Sequence, residues 1–159
     1  MKNKGFYKIT PIINYNSRKW CTLPYYLHPK GCPNFGKLDK CPPKASLFDK
    51  EFDLNKPVYL LYYKFNLGAH MKKLKTKFPH WSIHQLRCVL YWQPKARKHF
   101  RQYVKEFLEK HPNYSVSMCP EGQGVDVIST MKKLGIKIIF PPKDITYLVA
   151  LAAMKMRNK

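Results

Sequence analysis

Three of the five cysteines stand directly before proline, in the pairs Cys32-Pro33, Cys41-Pro42 and Cys119-Pro120. Proline fixes its φ at about −65° and has no amide to donate, so the backbone beside each of these thiols has few conformations open to it. Two of the pairs belong to GCPNFGKLDKCPP, residues 31–43, in which two glycines permit turns that other residues resist. This segment is therefore expected to form a stiff loop that turns tightly around its two cysteines.

The spacing of the cysteines indicates a metal centre. Ten residues separate Cys21 from Cys32 and eight separate Cys32 from Cys41, which is wider than the two-residue knuckle common in zinc fingers. Wide spacing with proline after the thiol is more typical of iron–sulfur ligation. Cys119, between a predicted strand and a predicted helix, is the natural fourth ligand. We therefore expect a 4Fe–4S cluster on Cys21, Cys32, Cys41 and Cys119, with zinc as the main alternative and unrelated buried thiols as the other.

The number of cysteines and the lack of a secretion signal indicate a reducing environment. Cys88 lies in an apolar helical stretch and is expected to be a buried thiol, whereas His28 is an alternative ligand close to Cys21 and Cys32. An odd number of cysteines without a secretion signal argues against a disulfide framework. No run approaches the roughly 18 apolar residues of a membrane span. We expect a cytoplasmic protein with no membrane partner.

The formal net charge is +21, and the charges are unevenly distributed along the chain. No acidic residue lies between Asp53 and Glu106, whereas twelve basic residues do, and residues 1–38 also lack an acid. A compact body with this imbalance repels itself unless an anion offsets the field. Nucleic acid, RNA or DNA, is the favoured partner. The alternatives are a basic surface that serves solubility, an acidic membrane or an acidic protein.

Aromatic and basic residues alternate closely in WSIHQLRCVLYWQPKARKHFRQY, residues 81–103. Trp81, Tyr91 and Trp92 could stack on unpaired bases, although Trp92, Phe100 and Tyr103 are more simply explained as core. Basic side chains on the other helix face would contact phosphates. The residues predicted to bind nucleic acid are Lys72, Lys73, Lys75, Lys77, Arg87, Gln93, Lys95, Arg97, Lys98, Arg101 and Lys105.

Hydrophobic periodicity predicts a small single α/β domain, in which a short central sheet is flanked by helices. Residues 1–57 form a section rich in cysteine and proline, expected to wrap around the metal centre, and residues 58–159 form an α/β section with basic helices. Strands are predicted near YKITPII and at PVYLLYYKF, NYSVSMC and IKIIF. Helices are predicted from Ser82 to Trp92, from Pro94 to His111, at GVDVISTMKKLG and at DITYLVALAAMKM, with a partly helical connector at residues 68–81.

Two stretches of the chain resemble a family of predicted metal-binding proteins of the iron–sulfur type, catalogued as domain of unknown function 2284. GCPNFGKLDKCPP is similar to the family's Cys-x-x-Tyr-Gly-x-x-x-x-Cys-Pro-Pro signature, with Phe35 in place of the tyrosine. CPEGQGVDVISTMKKLGIKIIFPP is similar to the family's segment with a Gly-x-Asp-Val core. The resemblance implies a cysteine-bound metal or iron–sulfur centre with Cys32, Cys41 and Cys119 as ligands and Cys21 completing the set.

Two acids closely follow the proposed ligand Cys119. Glu121 and Asp126 could act as general acid and base in a cluster-dependent reaction, or cap the helix that begins there. The sequence as a whole predicts an iron–sulfur protein that binds nucleic acid, with a base-modifying enzyme as one variant. The alternatives are a non-enzymatic zinc-stapled accessory subunit of a larger nucleoprotein assembly, and an electron carrier.

Overall fold

Two long apolar strands form the centre of the fold. In the computed structural model, which describes residues 2–24 and 28–157, β2 (Val58–Asn66) pairs antiparallel with β4 (Ile145–Ala153) along nearly their whole length. Side chains alternate between the two faces of a strand, so an uninterrupted apolar run requires that both faces be covered. Leu60, Leu61 and Leu151 are fully buried, as this requires.

Two shorter strands complete an antiparallel sheet. β1 (Lys4–Ile9) pairs with β2, and β3 (Ser115–Ser117) pairs with β4, which gives the order β1-β2-β4-β3. Most β1 side chains are exposed, and lysines on an edge strand oppose pairing with another chain. The central sheet predicted from the sequence is therefore present, and its two central strands are β2 and β4.

The long helix α4 (Val89–Lys110) and the shorter α2 (Leu67–Lys77) cover one face of the sheet. Phe100 and Phe107 of α4 pack with Leu61 and Ala150 of the central strands, while Trp92 packs with Leu67 of α2. We call this the α4 face. Within the described ranges, no helix combines the length and the apolar character that crossing a bilayer requires.

The opposite face of the sheet carries the two short helices α1 (Phe48–Glu51) and α5 (Val127–Lys133). Phe48 and Met131 pack there against Leu60 and Leu151, and we call this the α5 face. The cysteine-rich section is attached to the same layer. It contains a 3₁₀ helix, Tyr15–Thr22, and the Asn14 N–H just before it donates to the Gly124 carbonyl at 2.8 Å.

Two of the predicted elements near the end of the described chain are wrong. The stretch DITYLVALAAMKM is the central strand β4 and not a helix, because it pairs with β2 on one side and β3 on the other. A buried apolar run has no polar face, so its periodicity does not separate a strand from a helix. IKIIF is not a strand: Ile136 is buried in the core, but Phe140 is 77% exposed and the segment joins no ladder.

The predicted helix break at Pro94 is also wrong, since Pro94 lies inside α4. The break falls earlier, between α3 (Ile83–Leu86) and Val89. Trp92 and Ala96, on either side of the proline, both pack into the core, and this packing keeps the two turns in line. The predicted helix start at Ser82 is confirmed, because Ser82 and Gln85 bond reciprocally there and form a capping box at the start of α3.

Candidate cysteine cluster and nucleic-acid interface

Three separate segments bring the four predicted cysteine ligands into one neighbourhood. Cys21 lies near the end of the first 3₁₀ helix, Cys32 and Cys41 lie in the loop of residues 31–43, and Cys119 precedes a second 3₁₀ helix, Pro120–Gln123. The Cys32 N–H donates to the Cys21 carbonyl at 2.7 Å. All four are free thiols, each partly exposed. We call these four residues the cysteine cluster.

Burial and neighbouring charges disfavour the ionised forms of two thiols of the cysteine cluster, Cys119 and Cys21. Burial raises the pKa of the Cys119 thiol to about 12, and the negative charges of Glu121, Cys21 and Cys41 act in the same direction, partly offset by the Gly122 amide. Burial likewise raises the pKa of Cys21, and the charge on Cys32 adds to it. These mutual effects operate only between groups that lie close to one another. The predicted ligands are therefore neighbours in space, although they come from distant parts of the sequence.

The four thiols of the cysteine cluster, all among the described residues, are not arranged as a metal site. Across residues 2–24 and 28–157, no group of three or more His, Cys, Asp or Glu side chains is arranged to hold a metal ion. The prediction of a loop already wrapped around a metal centre is therefore not supported by the described residues. The loop has the predicted tight turns, since Gly31 and Gly36 both adopt positive φ.

Two residues that the sequence interpretation did not single out hold the segments of the cysteine cluster together. The Arg18 guanidinium donates through Nη2 to the carbonyls of Pro43 and Ala45, at 2.8 and 2.9 Å. The fully buried Ser17 hydroxyl donates to the Glu121 carbonyl at 3.0 Å and so ties the two 3₁₀ helices together. Neither residue belongs to a recognisable motif, because both act on backbone carbonyls that only the fold brings near.

The two acids beside Cys119 have different environments. Asp126 is the N-cap of α5, where its carboxylate accepts from the Ser129 N–H and from the Ser129 hydroxyl, both at 2.8 Å. Glu121 lies in the second 3₁₀ helix, and burial raises the pKa of its carboxyl group. The capping interpretation therefore applies to Asp126, and Glu121 is the acid that belongs to the cysteine cluster.

Substitutions at Asp126 should test its role as the N-cap of α5. Asp126→Ala is expected to lower the free energy of unfolding by about 0.5–2 kcal/mol, whereas Asp126→Asn, which keeps an accepting oxygen, should lose much less. Urea denaturation of both variants measures this difference. Equal destabilisation by the two variants would contradict the capping role.

Nearly all the residues predicted to bind nucleic acid lie on α2 or α4, the two helices of the α4 face. The four α2 lysines are exposed, and so are five basic residues of α4. We call this set of nine the basic surface: Lys72, Lys73, Lys75, Lys77, Lys95, Arg97, Lys98, Arg101 and Lys105. Gln93 is partly buried, and Arg87 is partly buried with its Nε atom enclosed and without a hydrogen-bond partner among the described residues.

A groove of about 500 Å³ opens between α2 and α4. Lys73 and Lys95 of the basic surface line it, together with His70, His99 and an aromatic floor that includes Phe65. The sequence interpretation missed both histidines and the floor. The sequence does show that Tyr63 and Phe65 lie on the same face of β2. It does not show which helix packs above that face, so the groove could not be predicted from this pattern.

The aromatic residues of residues 81–103 divide into core and surface. Trp92 is buried, and its Nε1 donates to the Arg87 carbonyl at 3.3 Å, so the core interpretation is confirmed for it. Tyr91 is 55% exposed on the rim of the groove. Its ring packs against Trp81 at 5.1 Å, and Trp81 in turn stacks on Phe78 at 4.2 Å. Tyr91 is therefore the most exposed of the tyrosine and tryptophan rings in this stretch.

Comparison with known proteins leaves the geometry as the basis for any functional conclusion. No family model matches the chain, and no curated protein or solved structure matches it significantly.

Proposed function

We propose that this protein binds nucleic acid through the basic surface, and that the cysteine cluster holds a metal centre that stabilises the layer on the α5 face. The observation that carries the first part is the arrangement of charge. Nine exposed lysines and arginines on two neighbouring helices flank a groove with an aromatic floor. A positively charged surface with accessible aromatic rings is the usual platform for a polynucleotide.

Among the described residues, no ion pair neutralises a charge of the basic surface. The ion pairs found among the described residues are Lys4–Glu106, Lys44–Asp39 and Lys155–Glu51, and none of them involves the basic surface. Like charges held on one face repel each other until an anion binds. A polyanion supplies many closely spaced negative charges, which favours nucleic acid over a single small anion.

The salt dependence of binding tests this proposal. Each phosphate contacted contributes about −0.7 to the slope of log K against log salt for a single strand and about −0.9 for a duplex, because bound counterions are released. Four contacts on a single strand therefore predict a slope of about −2.8. The measurement is the affinity for a fluorescent oligonucleotide in a series of KCl concentrations, and a flat series would contradict the proposal.

A pair of matched variants locates the interaction. Lys98→Ala with Arg101→Ala removes two charges from the basic surface and should reduce the slope by about 1.4 on a single strand. Lys132→Ala with Lys133→Ala removes the same charge from α5, on the other side of the sheet, and should leave the slope nearly unchanged. An equal effect of both pairs would indicate that net charge alone attracts the ligand.

The donor set of the cysteine cluster suits a soft metal centre. Four thiols from three segments match a 4Fe–4S cluster, our first choice, and structural zinc, the alternative, in the number and kind of donor atoms. When bound, either centre supplies positive charge that favours the thiolate forms and cross-links the segments. Cys21, Cys32, Cys41 and Cys119 would hold it, while Arg18 and Ser17 keep the surrounding backbone in place. The five free thiols suit a reducing compartment, and we include a cytoplasmic location in the proposal.

The position of the cysteine cluster favours a structural role for its metal. Its segments join the α5 face through Val125, which pairs with Ile13 and packs in the core with Met131. The groove lies on the α4 face, beyond β2 and β4. A base in the groove would be separated from the metal by the sheet. We therefore propose a binding protein with a structural metal and not a base-modifying enzyme.

A further inference from the structure

We propose that the groove between α2 and α4 receives an unpaired base of a single-stranded nucleic acid, and that Lys73 and Lys95 hold the phosphates on either side of it. This inference rests on the proposed function, and it specifies the form of nucleic acid that the basic surface recognises. The groove lies between one lysine from each helix, and no acidic residue is found among the described residues that line it. Its volume of about 500 Å³ is within the range of about 300–1,000 Å³ typical of ligand pockets.

The floor of the groove contains two stacked pairs of rings. Phe65 stacks on Trp92 with ring centroids 4.9 Å apart and planes 16° from parallel. Tyr63 stacks on His99 at 6.2 Å and 10°. Each stack joins a residue of β2 to a residue of α4, so the sheet and the helix hold the rings in position before any ligand arrives. An aromatic site that is already ordered loses little conformational entropy on binding a base.

The wall of the groove offers a polar atom without a partner. His70 Nε2 is enclosed and has no hydrogen-bond partner among the described residues, and its ring leans against Phe65 at 5.7 Å. Burial lowers the pKa of His70, and the charge on Lys73 lowers it further, so the imidazole is neutral near pH 7. A neutral imidazole nitrogen either donates or accepts a hydrogen bond, so a ring rotation that brings the enclosed Nε2 to the groove would let it contact the edge of a base.

The shape of the groove favours a single strand over a duplex. The flat faces of bases in a duplex are covered by stacking, so a concave site can take a base only after it leaves the stack. A single strand presents its bases without that cost. Tyr91, half exposed at the rim, would extend the stacking surface to the next base.

Two double variants of equal charge test the role of the groove. Lys73→Ala with Lys95→Ala removes both groove lysines, whereas Lys72→Ala with Lys98→Ala removes one exposed lysine from each of the same helices outside the groove. The probes are a single-stranded oligonucleotide of unstructured sequence and a duplex of the same length, at one fixed KCl concentration. We expect the groove pair to lose at least about tenfold more single-strand affinity than the outer pair, and both pairs to lose duplex affinity equally.

The stacking contact is tested at the rim. Tyr91→Ala should weaken single-strand binding by roughly 5- to 150-fold, which corresponds to the loss of one stacked base. Tyr91→Phe, which keeps the ring, should bind like the original protein. Leu90→Ala is the matched control, because Leu90 is the neighbouring residue, is 67% exposed and does not line the groove.

The outcomes distinguish the two proposals. If neither probe binds, or if the KCl series of the original protein is flat, the proposed function fails and the groove proposal fails with it. If both probes bind but the two lysine pairs weaken single-strand binding equally, or if Leu90→Ala acts like Tyr91→Ala, the groove proposal is overturned while the proposed function stands. A specific loss of single-strand affinity in the groove variants, rescued by Tyr91→Phe, supports it.

Discussion

Replacing Cys119 with serine is expected to remove the metal from anaerobically purified protein, which should otherwise carry one centre per chain. Cys119 immediately precedes the second 3₁₀ helix, so as a ligand it would join that helix to the cysteine loop. Its sulfur lies close to the helix backbone, since a Cβ added at Gly122 would be 3.3 Å from it. Residues that only hydrogen-bond to a metal ligand typically contribute about 10–100-fold to metal affinity, or about 1.4–2.8 kcal/mol. The loss of a direct ligand should lower the metal affinity by at least this much. Because metal binding is coupled to folding, thermal stability should fall as well.

Cys88→Ser is the control for this substitution. Cys88 is buried outside the cysteine cluster and is the N-cap of α4, a position at which serine is favoured. This variant should keep its full metal content and its stability. Metal analysis identifies iron or zinc, and a visible absorption band that dithionite bleaches identifies an iron–sulfur cluster. Metal-free original protein, or equal metal loss in the two variants, would overturn the metal proposal.

Gly31→Ala should destabilise the cysteine loop much more than Gly36→Ala does. Both glycines have positive φ, at 82° and 73°, so each substitution brings the left-handed backbone penalty of about 1–2 kcal/mol. They differ in the space around them. A Cβ on Gly31 would lie 2.5 Å from the Cys21 carbonyl oxygen, whereas a Cβ on Gly36 would meet nothing within 4 Å. Only in the Gly31 variant must the backbone that places Cys21 beside Cys32 move. We therefore expect Gly31→Ala to lower the free energy of unfolding by about 3 kcal/mol in total.

Urea denaturation and metal content measure the effect of the two glycine substitutions. We expect Gly36→Ala to retain its metal and Gly31→Ala to lose a large part of it, because the hydrogen bond from the Cys32 N–H to the Cys21 carbonyl is in the path of the added methyl group. Equal losses in the two variants would mean that backbone conformation alone, and not the contact with Cys21, constrains this loop.

The elements that could be predicted from the sequence are those whose ends are marked by particular residues or whose composition is typical of a strand. The capping box of Ser82 and Gln85, the helix end at Gly135 and the aromatic, β-branched run of β2 all lie where the sequence indicates. Residues 145–153 carry no such signal, because a nearly continuous apolar run shows neither the period of a strand nor that of a helix. The decision between them depends on pairing with β2 and β3, which lie far away in the sequence.

The candidate site was predictable in its components but not in its arrangement. Cysteine spacing pointed to the four thiols that the fold draws together, and the absence of acids pointed to the basic helices. The cysteine cluster and the basic helices are associated with opposite faces of the sheet, as Leu60 and Leu61 are. No local sequence pattern indicates which segment packs on which face. The groove was missed because it requires α2, α4 and β2 to meet, and each contributes residues that look ordinary alone.

The position of β4 determines when the sheet can form during synthesis. β4 follows the three other described strands in sequence, yet it lies between β2 and β3 and is the partner of both. Until residues 145–153 leave the ribosome, β2 has β1 on one side and an open apolar edge on the other. Such an edge is prone to pair with other chains, and the long-range contacts that close it form slowly. A nascent chain of this protein is therefore expected to depend on chaperone protection until its last strand has been made.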